Sequence, residues 1–88
     1  MTKGEYRVGI NFNPSGNDLV DKIKRQAADL IDLIESIPDH RYDTVDTDDA
    51  TWRYHAEVRR LKSLAITATE EGAMWAVKAA TKQPMEVK

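Results

Sequence analysis

The chain has no cysteine and only two histidines among its 88 residues. Disulfides and thiolate metal sites are therefore excluded, and two imidazoles alone do not complete a structural zinc site. Small domains usually rely on such staples because one small core gives only marginal stability. We therefore expect a single domain that gains stability by association with other copies of itself, and no bound metal or cofactor.

An excess of positive charge and a long apolar run are also missing. The formal net charge is −2, whereas proteins that bind long nucleic acids usually carry a marked positive excess. No stretch approaches the ~20 apolar residues of a membrane-spanning helix, and the opening MTKGEYRVG has no apolar signal-peptide core. These absences predict a soluble cytoplasmic protein without a long nucleic acid or a membrane as partner. A small anionic ligand needs only a few local cations.

The familiar catalytic motifs are absent as well. The sequence has no His-Glu-x-x-His pattern, and its glycines lack the spacing of a phosphate-binding loop. The Asp-rich run at 39–49 lacks the glycine and closing glutamate of a calcium loop, which favours a solvated connection. A serine–histidine pair is the one catalytic alternative, and so short a chain offers little depth for its pocket. Its members would come from Ser15, Ser36 and Ser63 with His40 and His55. The sequence predicts a binding protein and not an enzyme.

Residues 1–16 alternate in polarity. Tyr6, Val8, Ile10 and Phe12 are separated by polar or small residues, and turn formers follow at 13–17. Alternation of this kind is typical of extended chain with one apolar face. We therefore predict a short extended N-terminal arm.

Two helices are predicted after the arm. Apolar residues recur at spacings of three and four over 17–37, with Asn17 or Asp18 as a cap and Pro38 as the end. An acidic loop follows at 38–47, then a second helix over 48–81 and a tail at 82–88. The predicted fold is all-α, a two-helix antiparallel hairpin.

The second helix carries a heptad seam. Its positions are Tyr54, Val58, Leu61, Ala65, Ala68, Gly72, Trp75 and Ala79. The small residues in the middle of this seam predict close approach of a partner helix. A first helix of ~30 Å cannot cover a helix of ~50 Å that is apolar on more than one face. The remaining surface is expected to meet another copy of the chain.

Two groups of residues could bind an anionic ligand. Around the arm, aromatic rings can stack on bases, and turn amides and lysines can hold phosphate; composition alone favours the alternative that the arm's apolar residues only staple it to the hairpin. In the second helix, a basic segment contains Arg53, Arg59, Arg60 and Lys62. A solvated face is favoured there over an anion site at a subunit interface.

Two stretches are more specific than these patterns. They are RVGINFNPSG at 7–16, with VDKIK at 20–24, and LAITATEEGAMWAVKAAT at 64–81. Together they resemble the helical-hairpin family of phage anti-defence proteins, which includes the anti-CBASS cyclic-nucleotide sponge and the hairpin part of the anti-Thoeris sponge. The resemblance covers nearly the whole chain, and the acidic loop is its least distinctive part.

This resemblance implies a homohexamer that sequesters cyclic dinucleotides of the cGAMP type, and in some members cyclic trinucleotides, without cleaving them. It implies action in the cytoplasm of the infected bacterium, where CBASS effectors would not be activated. A helical adaptor that binds a host protein is the alternative, suggested by the excess apolar surface of the long helix.

The resemblance also implies a dinucleotide pocket built by the N-terminal part between protomers. Tyr6 or Phe12 would stack, Lys22 or Lys24 would bind phosphate with Arg25, and the choice within each pair stays open. The further candidates in this region are Arg7, Asn11, Asn13, Ser15 and Gly16. The candidates for a trinucleotide are Arg60, Thr67, Thr69 and Glu70.

Overall fold

The computed structural model describes residues 1–39 and 49–85, which contain three helices and no strand. They are α1 (Lys3–Val8), α2 (Asp18–Glu35) and α3 (Asp49–Ala80). The all-helical class is therefore confirmed. Most of the predicted acidic loop, with His40, and the end of the predicted tail lie outside the described residues.

The expectation of an extended arm is wrong, because residues 3–8 form a helix. Thr2 and Glu5 make a reciprocal capping box: the Glu5 amide donates to Thr2 Oγ1 at 3.1 Å and the Thr2 amide to Glu5 Oε1 at 2.8 Å. Gly9 ends the helix in the left-handed region, at φ 65°, which glycine adopts without a Cβ penalty. These caps outweigh the alternating pattern, and only the residues after Gly9 remain non-helical.

The second helix begins and ends close to its predicted limits. Asn17 caps α2, since its Oδ1 accepts from the Leu19 amide at 2.8 Å, and Ser36 caps the other end before Pro38. Val20 and Ile31 of the apolar stripe are almost fully buried, as is Ala28, whereas Leu30 and Ile37 are each 46% exposed. Only part of the stripe therefore faces the neighbouring helices.

The first helix packs against α2 at Gly4. A Cβ built on Gly4 would lie 2.1 Å from the Ala28 carbonyl oxygen, so only glycine permits this approach. The Gly4 amide donates to Asp32 Oδ1 at 2.8 Å. Ion pairs of Lys3 with Glu35 and of Glu5 with Arg25 flank the contact. The helices α1 and α2 therefore approach each other closely, and hydrogen bonds and ion pairs join them.

The third helix runs antiparallel to α2. At one end the Asn17 side-chain amide donates to the Ala80 carbonyl at 3.2 Å. At the other, the buried Lys62 ammonium donates to the Glu35 and Ile37 carbonyls, at 3.0 and 2.6 Å, and to Asp39 Oδ2 at 3.2 Å. Lys62 therefore caps the C-terminal end of α2.

The predicted heptad seam is not the face of α3 that packs on α2. Leu61 and Trp75 are more than half exposed, and a Cβ on Gly72 would meet nothing within 4 Å. The buried positions of α3 are Lys62 and Ile66. The prediction left Lys62 out of the packed face because lysine is charged. Its long apolar stem can nevertheless be buried while its ammonium donates to backbone carbonyls.

The protomer is thin and elongated. Its principal extents are 69 × 26 × 13 Å and its radius of gyration is 17.8 Å, against about 12 Å for a compact chain of this length. No helix of the described residues is long and apolar enough to cross a membrane. Large apolar side chains are exposed on the outer faces of the two long helices, among them Leu19, Leu30, Leu33, Trp52, Tyr54, Leu61, Leu64, Met74 and Trp75.

Candidate functional site

Two cavities lie on either side of the connection between α1 and α2. The first, here called the turn pocket, has a volume of about 630 Å³ and is lined by Ile10, Asn11, Asn13, Gly16, Asp21, Lys22 and Arg25. The second, the α1–α3 cleft, has about 490 Å³, and its lining includes Arg7, Val8, Lys24, Thr67, Glu70, Met74 and Val77. Both volumes fall within the roughly 300–1,000 Å³ of small-molecule sites.

Hydrogen bonds within the turn fix the floor of the turn pocket. The Asn13 amide nitrogen donates to the Asn17 carbonyl at 2.9 Å and to Asp21 Oδ1 at 3.0 Å. Ser15 Oγ donates to Asn13 Oδ1 at 2.7 Å and accepts from the Asn17 amide at 3.1 Å. Asn13 and Ser15 therefore hold the turn together, whereas Asn11 is exposed at the rim of the pocket.

The two cations of the turn pocket differ in their partners. Arg25 contacts Glu5 Oε2 and Asp29 Oδ1, each at 2.8 Å. The hydrogen bond from Arg25, joined by the Thr2 amide, lowers the pKa of Glu5 to about 2, and Glu5 in turn raises the pKa of Arg25. Lys22 is exposed and has no ion pair within residues 1–39 and 49–85. Lys22 is thus the cation of this pocket that is available to a phosphate.

Lys24 has different surroundings. Its side chain is 8% exposed, and its ammonium donates to the Gly9 carbonyl at 3.0 Å and to the Phe12 carbonyl. The same nitrogen lies 5.4 Å from the centroid of the Phe12 ring. The two lysines that the sequence could not separate therefore have distinct positions: Lys22 lines the turn pocket and Lys24 holds the backbone of the preceding loop.

The two candidate aromatic rings are both exposed. Tyr6 on α1 is 76% exposed and Phe12 is 70% exposed, and neither lines one of the two cavities. Each ring has a face free to stack, although one protomer does not bring either ring into a pocket.

The α1–α3 cleft joins two candidates on α3, Thr67 and Glu70, to Arg7 on α1. Arg7 donates through Nε and Nη2 to Glu70 Oε2, at 2.8 and 2.5 Å, and Thr67 is exposed beside this pair. The apolar part of the lining comes from Val8, Met74 and Val77, which the sequence had not suggested as site residues. Residues 67, 70, 74 and 77 follow one another at spacings of three, four and three, which could have indicated this shared helix face.

The other two trinucleotide candidates lie outside the cleft. Thr69 Oγ1 donates to the Ala65 carbonyl of its own helix at 2.7 Å. Arg60 is exposed and pairs with Glu57 Oε1 at 2.5 Å, a contact that raises the pKa of Arg60. The structure therefore does not bring the four candidates together in one protomer.

Two of the three serines considered for a catalytic pair are hydrogen-bonded within their own segments. Ser15 is bonded to Asn13, and Ser36 Oγ donates to the Leu33 carbonyl at 2.6 Å. Among the described residues no group of three or more His, Cys, Asp or Glu side chains is placed to hold a metal ion.

A protein-family model now bears on this geometry. The model described as the Acb2/Tad1 hairpin domain matches residues 5–81, which include all three helices from Glu5 onward. The chain belongs to this family. No curated protein and no solved structure matches the chain significantly. The Acb2/Tad1 family comprises anti-CBASS and anti-Thoeris sponges, which assigns the chain a cyclic-nucleotide-binding, phage anti-defence role at the level of the family.

Proposed function

We propose that this chain sequesters cyclic dinucleotide second messengers of the cGAMP type in the infected bacterium's cytoplasm, releasing no cleaved product. CBASS effectors would then receive too little messenger to be activated. The observation that carries this proposal is the turn pocket, where Lys22, exposed and without an ion pair to any residue of 1–39 and 49–85, lies beside an amide-rich turn, in a chain of this family.

Each part of the turn pocket suits one part of the ligand. Lys22 provides a mobile ammonium for a phosphate, and a charge-assisted contact of this kind is roughly twice as strong as a neutral one. Asn11 offers both donors and an acceptor to a base edge. Tyr6 and Phe12 have exposed rings on which a base can stack. Because neither ring lines the pocket of its own protomer, a second copy would complete the site.

Self-association would cover the apolar surface that one chain leaves exposed. Leu30 and Leu33 on α2 and Leu61, Leu64 and Trp75 on α3 are each about half exposed or more. Side chains of this kind in contiguous patches usually mark an interface. We propose a closed homo-oligomer, with six copies as the expected number, in which equivalent sites repeat by symmetry.

The α1–α3 cleft supports a second ligand class. Its Thr67 hydroxyl and its apolar lining fit a base and sugar better than a phosphate. A cyclic trinucleotide would have to compete with Glu70 for Arg7, which the cleft holds in an ion pair. Cyclic trinucleotides are therefore proposed as a separate and weaker class for this cleft.

A host-protein adaptor is the second candidate function, favoured by the same exposed apolar faces. It differs from the sponge in what covers those faces. An adaptor would be a monomer or dimer in light scattering and would bind a host protein, whereas the sponge would form a closed assembly of identical chains.

Calorimetric titration with cyclic GMP–AMP tests the proposed function. We expect Lys22→Met to weaken binding about tenfold or more, since one charge-assisted hydrogen bond is lost. Lys82→Met, which removes an exposed lysine just beyond α3, is the matched control and should bind like the wild type.

The fate of the ligand separates a sponge from an enzyme. The complex is incubated, denatured by heat, and the released nucleotide is analysed by chromatography. Recovery of intact cyclic GMP–AMP supports sequestration. A linear product would make the chain an enzyme, and absence of binding at micromolar concentration would refute the proposed function.

A further inference from the structure

We propose that Lys24 is a positioning residue: it holds the loop from Gly9 to Asn13 in the conformation that the turn pocket needs, without touching the ligand itself. The inference rests on the proposed function of that pocket. It separates two lysines of α2 that have the same chemistry and nearly the same place in the sequence.

The first argument is the set of acceptors around the Lys24 ammonium. Its hydrogen bonds reach the carbonyls of Gly9 and Phe12, three residues apart in one loop. The Phe12 amide also donates to the Gly9 carbonyl at 2.9 Å, which closes a turn between the two acceptors. One buried ammonium therefore fixes both ends of this turn at once.

The second argument is what the loop carries. Ile10, Asn11 and Asn13 of this loop line the turn pocket, while Lys24 lines the α1–α3 cleft. Two residues apart on a helix, Lys22 and Lys24 are separated by about 200° around the α2 axis. Lys22 can therefore face the ligand while Lys24 holds the loop that presents the amide groups.

The third argument is the cost of removing the ammonium. The Phe12 carbonyl would lose its ammonium donor, and the Gly9 carbonyl would keep only the Phe12 amide of its two donors; a partly buried carbonyl is expensive to leave unpaired. The loop would then adopt other conformations, and the apparent affinity falls in proportion to the fraction that remains competent. A loop that is competent about a tenth of the time would bind about tenfold more weakly.

The experiment compares Lys24→Met with Lys22→Met in titrations with cyclic GMP–AMP at several salt concentrations. A lysine that contacts a phosphate contributes to the salt dependence of Kd, because salt screens exposed charge pairs. We expect both variants to bind about tenfold more weakly. Only Lys22→Met should also lose part of the salt dependence, and Lys24→Met should keep the wild-type dependence.

Amide hydrogen exchange of the ligand-free protein supplies a readout that does not need the ligand. We expect the Phe12 amide to exchange faster in Lys24→Met than in the wild type, and unchanged in Lys22→Met. If the wild type binds no cyclic GMP–AMP, the proposed function fails, yet this comparison still decides whether Lys24 orders the loop.

A chemical rescue protects the test against simple misfolding. Because the chain has no cysteine, Lys24→Cys provides a unique thiol that can be alkylated in the unfolded state before refolding. Aminoethylation restores an ammonium of nearly lysine length and should restore binding and Phe12 protection. Propylation adds a neutral group of similar size that has no hydrogen-bond donor and should restore neither.

Two results would overturn the inference. One is wild-type affinity and wild-type Phe12 exchange in Lys24→Met. The other is a reduced salt dependence in Lys24→Met with Phe12 exchange unchanged, which would make Lys24 a direct contact of the anion through the cleft.

Discussion

Inside the three-helix unit, buried polar side chains accompany a small apolar core, whereas the outer surface exposes large apolar side chains. Inside, helices meet through polar groups that find backbone partners: Lys62 caps α2, Lys24 holds the loop after α1, and Asp32 receives the Gly4 amide. Outside, Leu61 and Trp75 are exposed. The comparison teaches that buried polar residues with backbone partners help to hold this chain together, whereas many of its large apolar residues stay exposed.

The largest expected effect breaks the inside. Lys62→Met leaves Asp39 and the last α2 carbonyls without their buried ammonium; the Lys62 and Asp39 side chains are only 8% and 12% exposed. We expect a loss of about 3 kcal/mol in the free energy of unfolding, since removing one partner of a buried ion pair is strongly destabilising. Urea unfolding measures this loss.

Two further variants check the origin of that effect. Lys78→Met removes an exposed lysine from the same helix and should change stability little. Adding Asp39→Asn to Lys62→Met should recover part of the loss, because the carboxylate that pairs with Lys62 is then replaced by a neutral amide. Equal losses for Lys62→Met and Lys78→Met would contradict the capping role.

The second prediction compares two glycines, one inside and one outside. Gly4→Ala places a methyl group against the Ala28 backbone and should cost about 2 kcal/mol of unfolding free energy through overpacking. Gly72→Ala lies in an exposed part of α3 and should stabilise the dilute protomer by up to about 1 kcal/mol, because alanine is the better helix former. Thermal unfolding of both variants at low concentration measures the difference.

Gly72→Leu then asks whether the outer surface is an interface. We expect it to weaken self-association in light scattering while the dilute protomer stays at least as stable as the wild type, because leucine is also a better helix former than glycine. Unchanged assembly would show that the heptad seam of α3 lies outside any contact between copies.

The smallest expected effect concerns the edge between the two regions, where Glu5 pairs with Arg25. The pKa of Glu5 falls from 4.5 to about 2 on folding, so its contribution to stability is present above about pH 4.5 and is lost as the pH falls toward 2. In Glu5→Gln, the unfolding free energy should therefore fall less steeply over that range. Arg25→Met should remove the largest part of this pH dependence but not all of it, because the Thr2 amide still lowers the pKa of Glu5; the double variant should also lose that remainder.

The sequence was sufficient for the two long helices because their signals agree. The Asn17 cap, the stripe of apolar residues and Pro38 all indicate the same limits for α2. The first helix was missed although its signals were present: Thr2 and Glu5 have the spacing of a capping box, and Gly9 follows as a C-terminal cap. The alternating apolar residues favour an extended chain, but the hydrogen bonds of these caps stabilise a helix instead.

The binding site could be predicted only in part. Sequence spacing shows that Lys22 and Lys24 lie on different sides of one helix, but it does not show which side the preceding loop covers. That choice depends on where Gly4 lets α1 approach α2, a contact with Ala28 and Asp32, which lie 24 and 28 positions further along the chain. The face of α3 that packs on α2 was hidden for a related reason, because its buried centre is Lys62.

A protomer with a shortest principal extent of 13 Å is too thin to enclose a ligand in its interior. A ligand bound to one copy would be enclosed only where a second copy covers it. Ligand affinity would then depend on protein concentration: dilute, unassociated copies would bind weakly, and copies at a concentration that favours association would bind tightly.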